Sequence, residues 1–273
     1  MAETSQQLFA REVGAGKRFE FGRNWQSFLK CLDERRILLA QESLRNMLGD
    51  EDLSGRAFLD AGCGSGLFSL AARRMGARVH SFDYDPQSVA CAQILKNKYF
   101  RDDPFWTIEQ ASVLDTDYLA KLGQPDIVYS WGVLHHTGAM WKAIDNVAGL
   151  VRPGGILFIS IYNDQGWISA YWKFMKRSYN HDRLGRCMVI GLHSPYLMML
   201  APLVQFVKGK LRLRRGMSRW HDVIDWLGGF PFEVARPAEI VEFLVARGLD
   251  TIKLKTCGKK HGCNEYVMRK RMA

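Results

Sequence analysis

Apolar positions along this 273-residue chain follow two rhythms. Short runs that end in a polar residue or a turn recur at Phe58-Leu-Asp60, Val79-His-Ser-Phe-Asp83, Trp106-Thr-Ile-Glu-Gln110, Pro125-Asp-Ile-Val-Tyr-Ser130 and Ile156-Leu-Phe-Ile-Ser-Ile-Tyr162. A helix-like stretch follows each. This alternation predicts a parallel α/β sheet whose strands end near 60, 83, 110, 130 and 162. Over residues 17–48, Leu29, Leu32, Ile37, Leu38, Leu44 and Leu48 recur near helical spacing and predict a helix. Pro237 to Gly248 reads as a helix with proline at its start and glycine at its end. Thr251–Thr256 and Asn264–Lys270 read as a closing hairpin. Residues 163–236 are too long for a simple connection and are read as an inserted cap. The expected organisation is therefore an N-terminal helical segment (1–53), a core (54–162 with 237–273) and the cap (163–236).

The candidate chemistry sits at the strand ends. Asp60-Ala-Gly-Cys-Gly-Ser-Gly66 joins a strand to a helix. Glycines there let a nucleotide-like ligand rest against bare backbone, beside the free N–H groups of a helix start. The spacing is Gly-x-Gly-x-Gly, not that of the dinucleotide fingerprint. Asp83 lies seventeen residues past Gly66, where a carboxylate can accept both hydroxyls of a ribose. The loop Trp131-Gly-Val-Leu-His-His136 follows the fourth strand. His135 and His136 are candidate general bases, because imidazole titrates near neutral pH. His221, in Trp220-His-Asp-Val-Ile-Asp225, is the third. The histidine and cysteine spacings match no metal signature, so no metal is expected.

These segments together resemble the class I S-adenosylmethionine (SAM) dependent methyltransferases. The likeness is carried by Asp60-x-Gly-x-Gly-x-Gly66, Asp83 and Pro153-Gly-Gly155. It covers about half the chain, and its general look is of the ubiquinone-pathway O-methyltransferase branch. The resemblance implies a Rossmann-like, mostly parallel sheet of seven strands with the last one antiparallel. It implies SAM as cofactor, held by Trp25, Asp60, Gly62, Cys63, Gly64, Gly66, Asp83, Tyr84, Ser112, Val113, Trp131 and Gly132. Asp60 would help hold the methionyl ammonium, and the turn Ala111–Leu114 would face the adenine. Many relatives carry an aspartate where this chain has Ser112, which brings no charge. Asn24 stands beside Trp25 as an alternative cofactor contact from a covering N-terminal helix.

The acceptor is expected to be a small molecule methylated at a hydroxyl oxygen. Methylation of N, S or C stays open, as does an RNA methyltransferase working through the basic insertion. A non-catalytic SAM binder is the third class. The net charge is +10, and residues 163–236 hold twelve Lys and Arg against five Asp and Glu. A basic strip alone gives non-specific, salt-sensitive nucleic-acid binding, and no RNA-binding module is recognisable. Within the insertion, the apolar stretch 188–207 runs into Lys208-Gly-Lys-Leu-Arg-Leu-Arg-Arg215. That pattern is compatible with a buried lid or dimer contact, or with peripheral membrane contact through 188–215. Six scattered cysteines and a polar N-terminus suggest a reduced, cytoplasmic protein, and the first fifteen or so residues are the one stretch expected to lack order.

Overall fold

The computed structural model describes residues 4–49, 52–200, 219–258 and 262–272. Seven strands form one sheet: β1 (Ala57–Ala61), β2 (Arg78–Asp83), β3 (Trp106–Gln110), β4 (Ile127–Trp131), β5 (Ile156–Tyr162), β6 (Leu249–Lys255) and β7 (Cys263–Lys270). Their order is β3-β2-β1-β4-β5-β7-β6. β1 to β5 pair in parallel, while β7 runs antiparallel between β5 and β6. The chain thus reverses its winding between β1 and β4, and the carboxyl ends beside that switch are where ligands bind in such sheets.

Strand residues alternate between two cores, which explains the nearly unbroken apolar runs. Leu59, Val128, Leu157 and Ile159 face one cluster with α7 (Met140–Leu150) and α11 (Pro237–Val245). Phe58, Ile127, Tyr129 and Phe158 face the other, against α3 (Glu34–Leu48) and α4 (Leu67–Arg74). The remaining helices of the core are α5 (Pro86–Tyr99) and the short α6 (Thr116–Leu119).

The helix predicted over 17–48 is two helices. α2 (Gly22–Leu29) stops, and Asp33 then caps α3 by accepting from the Arg36 amide at 2.9 Å. The N-terminus also departs from expectation: residues 5–14 form α1 (Ser5–Gly14), with a reciprocal cap between Thr4 and Gln7. Phe9 on this helix is buried.

Between β5 and α11 lie α8 (Trp167–His181), α9 (Arg183–Pro195) and α10 (Arg219–Gly228). They share a third cluster of Met175, Tyr179, Val189, Val223 and Leu227, with Phe19 from the N-terminal segment packed against it. Phe19 donates its amide to the Phe230 carbonyl at 2.9 Å. The Asn24 amide donates to the Asp225 carboxylate. The N-terminal segment and these helices therefore meet across the carboxyl end of the sheet. The basic run 208–215 lies outside the described residues. No helix among the described residues is long and apolar enough to cross a membrane.

Candidate active site

The loop after β1 needs its glycines. Gly62, Gly64 and Gly66 have φ of +85°, +53° and +79°, where any other side chain is strained. A Cβ on Gly62 would lie 2.3 Å from Val133, and one on Gly66 would lie 2.8 Å from Ala92. A Cβ on Gly64 would press on the Trp25 indole at 3.1 Å. Trp25 therefore does reach the loop, whereas Asn24 turns away to Asp225. Cys63 is buried within the turn and donates its amide to the Phe82 carbonyl.

Asp83, at the end of β2, accepts from the Gly64 amide at 2.8 Å and from the Asp85 amide at 2.9 Å. Burial pushes its pKa up to about 7. Asp60 is buried beneath the same loop, and burial also raises it to about 7, against the hydrogen bond from Ser69. A buried relay supports it. The Trp106 indole donates to Ser81 Oγ at 2.9 Å, Ser81 to Ser69 Oγ at 2.8 Å, and Ser69 to Asp60 Oδ2 at 2.5 Å.

The remaining expected cofactor positions line up along the sheet edge. Tyr84 follows Asp83, with its ring 4.8 Å from the Arg18 guanidinium and edge-on to Phe9. Ser112 accepts from the Leu114 amide within its own turn, and the Val113 carbonyl accepts from Asn146. Trp131 ends β4. Gly132 follows at φ +76°, with its amide donated to Ser160 Oγ at 2.8 Å. The donor set fits a nucleoside: bare backbone at three glycines, a carboxylate at the ribose position and an aromatic ring beyond it.

His135 and His136 sit on a short 3-10 turn (Leu134–His136) and are both buried. His136 Nδ1 lies 2.6 Å from the Pro231 carbonyl, so that nitrogen carries the proton and Nε2 keeps the lone pair. Burial lowers its pKa to about 3, with the Pro231 contact opposing. Burial holds His135 well below the usual imidazole range too, opposed by the Ser160 backbone. That backbone group falls short of hydrogen-bonding geometry, and among the described residues neither ring nitrogen of His135 has a hydrogen-bond partner. Its ring lies 4.0 Å from that of Tyr162. His221 falls on α10, but its side chain lies outside the described residues. Among the described residues no group of three His, Cys, Asp or Glu forms that could hold a metal.

Two residues that carry no recognisable motif belong here as well. Arg18 donates to the His136 carbonyl at 3.1 Å and to Glu12 at 2.7 Å, tying α1 to the histidine loop. Lys176 is fully buried on α8, 4.5 Å from the Trp226 ring and 5.0 Å from Phe232. A signal existed for it: Trp172, Lys176 and Tyr179 share one face of a helix, so the lysine interrupts an apolar stripe.

The fold is an α/β domain whose loops at the carboxyl ends of β1, β2 and β4 fit a nucleoside. Residues 59–157 match the methyltransferase domain family. A ubiquinone biosynthesis O-methyltransferase of Xylella fastidiosa is 35% identical over 114 residues, 41% of this chain and 44% of that relative. A tRNA U34 carboxymethyltransferase of Methylococcus capsulatus is 33% identical over 108 residues, 39% of this chain and 32% of that relative. These matches span less than half of the curated relatives' length. Among solved structures, the magnesium protoporphyrin IX methyltransferase of Synechocystis with bound S-adenosylhomocysteine superposes with a TM-score of 0.52. That likeness is 15% identical, covers 86% of this chain and 83% of that one, and speaks to the fold. Residues 59–157 are thus a methyltransferase domain, set in a fold of the class I SAM-dependent type, whose cofactor is SAM.

Proposed function

We propose that this protein transfers a methyl group to an oxygen of a small-molecule acceptor. The observation that carries this reading is a cluster of aromatic side chains at the end of β5, against the histidine loop that follows β4. It is formed by Tyr162, Trp226 and Phe232, with Tyr162 5.8 Å from Trp226 and 5.2 Å from Phe232. The rings of His135 and His136 lie against it, 4.0 and 5.4 Å from that of Tyr162.

Bound SAM supplies an electrophilic methyl group on a sulfonium. The chain's own part is to bind, orient and exclude water. Asp83 accepts the ribose hydroxyls, Tyr84 and the 111–114 turn flank the adenine, and Asp60 supports the ammonium. Such positioning supplies roughly 7–11 kcal/mol of a displacement barrier. His136 is neutral at physiological pH, and its Nε2 lone pair is fixed by the Pro231 carbonyl. It takes the hydroxyl proton as the acceptor oxygen reacts. Its low pKa makes it a weak base, so it works where the acceptor hydroxyl is itself acidic.

The test uses SAM labelled in its methyl group and a panel of phenols and hydroxybenzoates. Wild-type protein is expected to label at least one, and His136→Ala to lower kcat about a hundredfold with unchanged affinity for S-adenosylhomocysteine. Bound cofactor with no labelled phenol would overturn the reading. Label in added RNA instead would move the acceptor to the tRNA-type class of the Methylococcus relative.

The outer surface of the inserted helices points to a membrane location. Trp167 and Phe174 on α8, with Leu184, Met188, Leu192 and Tyr196 on and just after α9, are all large, apolar and exposed. This face joins in sequence to the basic run 208–215, and an anionic membrane surface suits both features. The protein is expected to sediment with phosphatidylserine vesicles but not with neutral ones. Neutralising Lys208, Lys210, Arg212, Arg214 and Arg215 is expected to weaken that binding about a thousandfold. No sedimentation of the parent protein, together with twice the monomer mass by light scattering, would assign the face to a homodimer.

A further inference from the structure

Lys176 has no part in the proton transfer assigned to His136, yet its surroundings are unusual for an ammonium. It is fully buried, and it donates to the Trp226 carbonyl. The rings of Trp226 and Phe232 lie over it at 4.5 and 5.0 Å. Among the described residues it makes no ion pair. The nearest acid to act on it is Asp225, whose carboxylate takes the Asn24 amide. Burial brings the Lys176 pKa down to about 7, as expected of a charge without a close counter-ion.

His135 is the second under-satisfied group in the same box. Its ring rests on Tyr162, which in turn meets both Trp226 and Phe232. A buried ammonium and a buried imidazole with both nitrogens unpartnered are costly unless something else supplies their partners. A cavity of about 340 Å³ opens to solvent beside Met140, Ser169, Lys173 and Glu233, and Phe232 forms part of its wall. The box is therefore one side chain away from an entry route.

Resting on the methyltransferase reading, we infer that Lys176 binds the ionised oxygen of a planar, conjugated acceptor, a phenolate or an aryl carboxylate, whose ring lies in this cavity against Phe232 and whose oxygen reaches the ammonium past that side chain. The oxyanion supplies the missing counter-charge, and the flat ring matches that of Phe232. His135 meets a further polar substituent of the acceptor. For a phenol, the ammonium also favours ionisation, so the weakly basic His136 suffices to take the proton.

The probe is 4-nitrophenol, whose phenolate absorbs visible light and reports its own ionisation. With full-length protein saturated in S-adenosylhomocysteine, the bound probe is expected to ionise at least one pH unit lower than the free probe. Lys176→Met is expected to abolish that shift, and Lys176→Arg to keep most of it. Thermal melts and S-adenosylhomocysteine affinity should match the wild type in both. Displacement of the probe by benzoate assigns an aryl carboxylate, and its failure to displace assigns a phenol. No binding of either probe, or a shift that survives Lys176→Met, overturns the inference. A Lys176-dependent shift in protein that binds no S-adenosylhomocysteine would instead remove the methyltransferase reading and leave the anion site standing.

Discussion

Replacing Asp83 by alanine is expected to weaken S-adenosylhomocysteine binding about a thousandfold in calorimetry, without unfolding the protein. Two ribose hydroxyls donating to one carboxylate, at ~1.5–3 kcal/mol for each charged hydrogen bond, account for that size. The same carboxylate also holds the glycine loop, through the Gly64 amide at 2.8 Å, so its loss loosens the cradle as well as the ligand. Asp83→Asn should fall between, since an amide oxygen still accepts one bond. The raised pKa adds a pH signature. Asp83 titrates near 7 in the free protein, so it is protonated below that and accepts poorly. Affinity should therefore fall as pH drops from 8 to 6 in the wild type and stay flat in Asp83→Ala. Unchanged affinity in the alanine variant would remove the ribose role.

Much of this site was legible because its signals are local. Three glycines in five residues, and an acid ending the next strand, are read from a few consecutive letters. The capping pair Thr4 and Gln7 was equally local. It was outweighed by the polar composition of the N-terminus, and Phe9, which docks the helix, gave only one buried anchor. The break between α2 and α3 hid because Leu29, Leu32 and Ile37 keep helical spacing across it. Asp33 as an N-cap was the missed cue.

Other features have no local signature. The tautomer of His136 is set by the carbonyl of Pro231, ninety-five residues away in sequence. Arg18 reaches the same loop across 118 residues. Lys176 becomes meaningful only when α8 and the 226–232 segment close around it. The acceptor chemistry proposed here thus rests on contacts between distant segments, while that of the cofactor rests on contacts within them. A reading of consecutive residues finds the second and is nearly blind to the first.

Asp60→Asn separates the stability of the protein from its function. Asp60 is fully buried, and its folded pKa of about 7 stands above the ordinary 3.8. Between those values the folded state holds a proton that the unfolded state has released. Stability from this group therefore falls as pH rises through that window, and the full penalty is present above it. Asparagine keeps the shape and can still accept from Ser69 while carrying no charge. The variant should melt higher than the wild type by roughly 4–8 °C at pH 8, by about half as much at pH 5.5, midway through the window, and by little below pH 4, where Asp60 is neutral in both states. Cofactor affinity should move the other way, weakening about thirtyfold as the ammonium loses its carboxylate. Equal melting gains at both pH values would mean that Asp60 is already ionised in the folded protein at pH 5.5, its pKa not raised by burial. A melting gain at pH 8 with undiminished affinity would mean that the acid serves the Ser69–Ser81–Trp106 relay and not the ligand. A protein that grows more stable while binding its cofactor less well would show that this charge is kept buried, at a cost to the fold, for a ligand to find.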